Sequence, residues 1–202
     1  MAVKDSATEQ LIIDTAKKIF FSEGRFNATT QDIADAAGVN RTLLNYYFRS
    51  RDTLFAYVLR DAKLNMDKRL DAIFLTDMPF KEQIAHFIDV FFDEVKTHPY
   101  LDTYIISKLN DPDSDFKNVV PIDFDAIKSK MNDFFINVER EIQKGALVDT
   151  NARDFMLNLI SLISHPITMQ AMLKQIFSMD NAEFNDMLAK RKNVILKLLF
   201  KE

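Results

Sequence analysis

Between residues 28 and 51 the chain gathers side chains able to grip or read a polyanion. Thr30 and Gln31 come first, then Arg41, Thr42, Asn45, Tyr46 and Tyr47, then Arg49 and Arg51. Arginine pairs bidentately with guanine O6 and N7, and asparagine with the edge of adenine, so Arg41 and Asn45 have the chemistry of base readout. Thr30, Gln31 and Tyr47 suit phosphate oxygens. Arg49 and Arg51 flank Ser50, where the positive end of a following helix would add to their attraction for a phosphate.

These groups act together only if two short helices hold them on one face. Thr29 or Thr30 can cap a helix carrying Ile33, Ala34 and Ala37 on one side, and Gly38 supplies the positive φ of a sharp turn. Asn40 then caps a second helix, in which Leu43 or Leu44 and Phe48 point inward while the polar residues face out. Two short helices joined by a glycine-containing turn form a helix-turn-helix, whose second helix enters the major groove of DNA. A packed helical hairpin with a solvated arginine tip is the other reading of the same residues. Upstream, a helix over 6–23 is expected, opened by the capping box Ser6–Glu9 and stopped at Gly24.

The remainder has apolar residues recurring at three and four, without period-two alternation, so the chain reads as all-α. Ser50 caps a long helix running toward Leu70 and Ile73, through which the two parts of the chain join. Pro79 opens another, which ends before His98-Pro99. Further helices are expected over 100–109, 123–144, 151–177 with a break or bend at Pro166, and 181–200, the last opened by Asp180 and Glu183. Asn110–Asp115 reads as an acidic loop. The domains expected are 1–50, a three-helix DNA-binding domain with the helix-turn-helix, and 51–202, a larger helical ligand-binding and dimerisation domain.

Composition removes several alternatives. The chain has 202 residues and no cysteine, which excludes disulfides, thiolate nucleophiles and cysteine-ligated metals. Three glycines, against roughly fourteen at average usage, leave no G-x-G-x-x-G or P-loop. His86, His98 and His165 share no ligand spacing, no serine lies in G-x-S-x-G, and Asp113 and Asp115 lie in a loop with nothing apolar nearby to raise a pKa. Neither an enzyme nor a cofactor is expected. Net charge is −4, yet residues 1–51 carry seven Lys/Arg against six Asp/Glu. An acidic total does not exclude DNA, because phosphate contacts are local. The longest nearly apolar stretch, Phe155–Ile163, falls short of the roughly 18 residues that span a bilayer, and the N-terminus lacks an apolar leader, so the expectation is a cytoplasmic protein with no membrane span.

At the helix-turn-helix the sequence resembles the TetR family of bacterial transcriptional regulators, whose signature is T-x-x-I-A-x-x-A-G-V-S followed by Y-x-Y-F-x-S-K-[ED]-x-L. Here the chain has Thr30-Gln31-Asp32-Ile33-Ala34-Asp35-Ala36-Ala37-Gly38-Val39-Asn40, then Asn45-Tyr46-Tyr47-Phe48-Arg49-Ser50-Arg51-Asp52-Thr53-Leu54. The resemblance covers residues 8–58. Asn40 replaces the common serine cap with an equivalent one, whereas Asn45 stands for the first tyrosine of Y-x-Y-F, and Thr42 and Leu43 for a common glycine-threonine pair. The resemblance implies a homodimer that binds double-stranded DNA through Thr30, Gln31, Arg41, Thr42, Tyr46, Tyr47 and Arg51. It also implies a C-terminal domain that takes a small effector, expected to be apolar.

Such a protein would be a ligand-responsive repressor that binds a palindromic operator and releases it on effector binding. The alternative is a helical small-molecule-binding or enzymatic domain without DNA binding. Candidates for an apolar pocket are Phe87, Phe91, Tyr104, Met131, Phe134 and Phe135. Candidates for an isologous four-helix interface are Met156, Leu159, Ile160 and Ile163 with Phe184, Leu188, Ile195 and Leu199.

Overall fold

The computed structural model describes residues 6–112 and 124–201. Among them there is no strand, and an isolated antiparallel bridge joins Leu147 to Phe200. The helices are α1 (Ser6–Lys17), continued by a π-helical turn (Lys18–Ser22), α2 (Thr30–Ala37), α3 (Arg41–Phe48), α4 (Arg51–Phe74), α5 (Phe80–Thr97), α6 (Leu101–Leu109), α7 (Phe124–Gln143), α8 (Ala152–Thr168), α9 (Gln170–Ile176) and α10 (Asn181–Leu199). The expected acidic loop is described only as far as Pro112, and its residues from Asp113 on lie outside the described residues.

Compactness divides these residues into two units, 6–68 with 97–112 and 69–96 with 124–201. The boundary expected after residue 50 falls inside the first unit. α4 contributes to both, and α6 belongs with the N-terminal helices.

In the first unit α1 packs on α2 and α2 on α3. The last turn of the first helix widens to π form, and Ile19, Phe20 and Phe21, consecutive in sequence, are all buried there. Ile12, Ala16, Ile33, Ala34, Leu44, Leu54 and Val58 join them in the core. Thr29 and Asp32 form a full capping box at α2, so two backbone N–H groups that lack helical partners are satisfied at once. Gly38 ends α2 at φ 67°, a left-handed conformation that disfavours any side chain, and its N–H bonds Ala34 and Asp35 carbonyls. Asn40 accepts from the Leu43 N–H at 2.8 Å and starts α3; Ser50 accepts from the Thr53 N–H at 3.1 Å and starts α4.

The second unit is organised around phenylalanine. Phe80 lies 5.9 Å from Phe134, 5.9 Å from Phe155 and 6.1 Å from Phe200, and Phe74 lies within 6.0 Å of Phe87 and Phe134. Asp180 and Glu183 close a capping box on α10 as expected. Pro166 does not break α8. The 70° bend comes after Thr168, at Met169, where α9 begins. Proline removes only its own N–H, and the carbonyl of Leu162, left without a helical donor, takes the Arg191 Nε–H at 3.0 Å. The helix ends where the Thr168 hydroxyl donates to the carbonyls of Ser164 and His165. No single helix among the described residues is long and apolar enough to cross a membrane.

Candidate nucleic-acid interface

Helix α3 is two-faced. Leu44 and Phe48, four residues apart, are buried and hold the helix on the first unit, while Arg41, Thr42 and Tyr46 are exposed and Asn45 and Tyr47 half-buried. None of the hydrogen bonds or ion pairs among the described residues engages the guanidinium of Arg41 or of Arg49. The Tyr46 and Tyr47 rings stand edge to face at 5.5 Å, which fixes Tyr46 outward from the helix.

At the start of α2, Thr30 is half-buried and Gln31 is exposed, its amide donating to Asp35 at 2.7 Å one turn on. The capping box sets their backbone. Hydrogen bonds from the Thr29 hydroxyl and then the Thr29 N–H hold the Asp32 carboxyl below its ordinary value; desolvation opposes them, and the Arg25 charge adds a smaller lowering.

Between α3 and α4 the chain turns at Arg49, with φ 52° and ψ −43° and a hydrogen bond from the Ser50 N–H back to the Phe48 carbonyl. This is a γ-turn of the rare, strained form, and it leaves the Arg49 side chain exposed.

Arg51 is a correction. Its expected place on a phosphate is not where the structure puts it. The guanidinium turns inward, with Nε donating to the Ala28 carbonyl at 3.1 Å, Nη2 to the Phe26 carbonyl and Nη1 to Asp52 at 2.9 Å. It also lies 5.5 Å from the Phe20 ring centre and 5.3 Å from that of Phe55. Two carbonyls from 23 and 25 residues earlier satisfy the planar donor fork better than solvent does. Nothing in the local sequence marks that long-range contact.

Tyr104 is a second correction. It belongs to the first unit rather than with the other pocket candidates, its ring 4.6 Å from Phe26 and 5.1 Å from Phe55. Burial pushes its phenol up; Arg51 pulls the other way, and Asp52 adds to the rise. The remaining five candidates lie in the second unit. Phe87 and Phe134 are buried in its packed core, with Phe91, Met131 and Phe135 packed partly buried against it. Phe135 does line a surface groove along α7, with Asn132, Ile136, Glu139, Arg140 and Gln143. Adjacent aromatics at helical spacing filled the space between helices, and the expected cavity among them is core instead.

Six of the eight interface candidates belong to the core of the single chain. Leu159, Ile163, Phe184, Leu188, Ile195 and Leu199 are buried within the single chain, and Met156 and Ile160 pack half-buried on the same cluster. α8 and α10 turn these stripes toward each other and their own unit. Apolar spacing states that a face is covered, not which chain covers it.

The sequence matches the family described as bacterial regulatory proteins, tetR family, over residues 12–58, which takes in the second half of α1 with its π-helical turn, all of α2 and α3 and the start of α4. Residues 12–58 thus carry the TetR-family DNA-binding segment. α3 stands in the place of the second helix of a helix-turn-helix. No curated protein matches the sequence. In fold the chain is similar to the ketosteroid transcriptional regulator KstR2 of Mycobacterium tuberculosis, at 16% identity over 99% of this chain and 98% of that one, with a TM-score of 0.68. It is also similar to the transcriptional regulator FadR of Bacillus subtilis, solved with stearoyl-CoA, at 15% identity over 94% and 98% of the two chains and a TM-score of 0.61. A TetR-family transcriptional regulator of Haemophilus influenzae matches at 14% identity over 97% and 98%, with a TM-score of 0.56.

Proposed function

We propose that the chain is a TetR-family, ligand-responsive repressor that binds a palindromic operator as a homodimer in the cytoplasm and releases it when a small apolar effector binds. The observation that carries the DNA part is the outer face of α3, where Arg41, Thr42 and Tyr46 are exposed over a buried Leu44–Phe48 stripe. Two such helices about one DNA turn apart, ~34 Å, would read the halves of a palindrome. A mobility-shift assay with the chain's own upstream DNA tests this reading: a specific complex at moderate salt, weakened by Arg41→Ala, is expected. No specific complex, with wild type and Arg41→Ala alike, would leave a helical small-molecule-binding or enzymatic domain in its place.

For the dimer, the outward surface of α8 and α10 is the better candidate now that the inward stripes are accounted for. Phe155 stands 6.0 Å from Phe200 and Arg191 reaches Leu162, so the two helices run antiparallel. That brings Leu157 level with Leu198, and Ser161 level with Val194. Leu157 is 65% exposed, Leu198 54% and Val194 48%, an apolar strip beside small polar residues that suits a twofold contact. Leu157→Asp with Leu198→Asp should give a folded monomer in sedimentation; a dimer that survives both changes would place the contact elsewhere.

The effector would act by preferring the form whose recognition helices are wrongly spaced. Moving the population from 1:99 to 99:1 takes roughly 5.5 kcal/mol of differential affinity. Since FadR of Bacillus subtilis was solved with stearoyl-CoA, a long-chain acyl-CoA is the first probe, with release from DNA as the readout.

A further inference from the structure

The Arg25–Ala28 loop, which leads directly into the Thr29 cap of α2, is held from two sides within the first unit. From α4, Arg51 donates to the carbonyls of Phe26 and Ala28. From α6, the Tyr104 ring packs on Phe26, and the Tyr100 ring approaches so closely that a Cβ on Gly24 would lie 3.1 Å from it. The residues that open α6 are tied to the same place. The Ser22 hydroxyl donates to the Thr97 carbonyl at 2.6 Å and the Tyr100 N–H to the Phe21 carbonyl at 3.1 Å, while His98 stands edge-on to Phe21. Phe55 lies between the two holds, beneath the Arg51 guanidinium and against Tyr104.

We propose that Arg51 and Tyr104 form a latch on the Arg25–Ala28 loop that sets where α2 begins, so that Arg51 is a positioning residue for DNA binding rather than a phosphate ligand. The inference rests on the reading of residues 29–49 as a DNA-binding surface. Its physical content is a chain of short links. The Ala28 carbonyl is one residue from Thr29, whose capping box fixes the first turn of α2, and that turn carries Thr30 and Gln31. To serve a phosphate, Arg51 would have to give up two charge-assisted hydrogen bonds and two aromatic faces. The Tyr104 ring meets the loop at Phe26, 4.6 Å between ring centres, so an aromatic side chain at this position is what the latch uses.

The test compares full-length variants by fluorescence anisotropy on a labelled duplex of the chain's own upstream DNA across a salt series. Arg51→Ala should weaken the specific complex by about tenfold, the weight of a lost charged hydrogen bond, and Tyr104→Leu should weaken it through the lost ring contact, both with the salt slope unchanged because no phosphate contact is removed. Tyr104→Phe, which keeps the ring on Phe26, should weaken binding less than Tyr104→Leu. The double variant should lose little more than either single one, since both act on one loop. Amide hydrogen exchange over 26–32 in the DNA-free protein should quicken in both single variants. A slope flattened by about one unit in Arg51→Ala would make Arg51 a phosphate ligand and overturn the latch. So would unchanged affinity and exchange in Tyr104→Leu.

Where Arg51→Ala fails to fold, Arg51→Lys replaces it. Lysine keeps the charge without the planar fork, so a latch residue still loses affinity on this change and a phosphate ligand does not. A wild-type chain that forms no specific complex sinks the DNA reading alone, and the exchange data in free protein still decide the latch.

Discussion

The two compact units are built from helices with the same apolar spacing, and they differ in what the opposite faces carry. In the first, α3 buries Leu44 and Phe48 and turns Arg41, Thr42 and Tyr46 outward, so polarity separates the packing face from the face available to a partner. In the second, α8 and α10 are apolar on more than one face. Leu159 and Ile163 are fully buried and Leu157 on the same helix is exposed, with no polar boundary between their roles. Polar patterning tells function from packing only where the partner is itself polar, as DNA is; where the partner is another apolar surface, the pattern is mute.

Paired substitutions on α8 test that contrast most strongly. Leu159→Ala should cost about 2–5 kcal/mol in chemical unfolding, whereas Leu157→Ala should change the stability of the isolated chain by no more than about 0.5 kcal/mol. Equal costs would erase the distinction between inward and outward stripes. Next in size, Arg41→Ala should remove about 1–3 kcal/mol of preference for the operator over scrambled duplex, read from competition binding. A loss shared equally by both DNAs would turn Arg41 from a base reader into a phosphate contact.

Arg49→Gly sharpens the comparison inside the first unit, because function and stability should move in opposite directions. Glycine relieves the positive φ and should raise stability by about 1 kcal/mol, while loss of the exposed guanidinium weakens DNA binding and flattens the salt slope. Unchanged binding would make the strained turn a matter of chain reversal alone.

The smallest effect concerns acid. The folded-state pKa of Asp32 is depressed, so its contribution is present above its unfolded value, near 3.8, and is lost as pH falls through the folded value. Asp32→Asn should remove that component from the acid limb of a stability profile. An identical limb in both proteins would show that the capping box does not titrate with unfolding.

Much of the first unit was legible along the chain because its determinants are neighbours in sequence. Thr29 with Asp32, Gly38, Asn40 and Ser50 each act within four residues, and the structure shows a cap or a turn at every one of them. Arg51 was misjudged on the same ground. Its position beside a helix start suggested solvent and phosphate, while its partners lie at Phe26 and Ala28. Tyr104 carried no local sign of its place, since a lone aromatic at helical spacing is compatible with any neighbouring helix. Pro166 marked the end of regular α8 only approximately, because Arg191 from another helix supplies the donor for the Leu162 carbonyl that proline leaves open.

Helix type, caps and the polar face of α3 follow from interactions that reach one turn along the chain, and the order of residues is sufficient to specify them. Which apolar stripe is core, which aromatic meets which, and where the Arg51 guanidinium lies depend on contacts between residues tens of positions apart. Those are settled only when the helices pack, since burial is non-directional and a buried donor takes whichever carbonyl folding brings within reach.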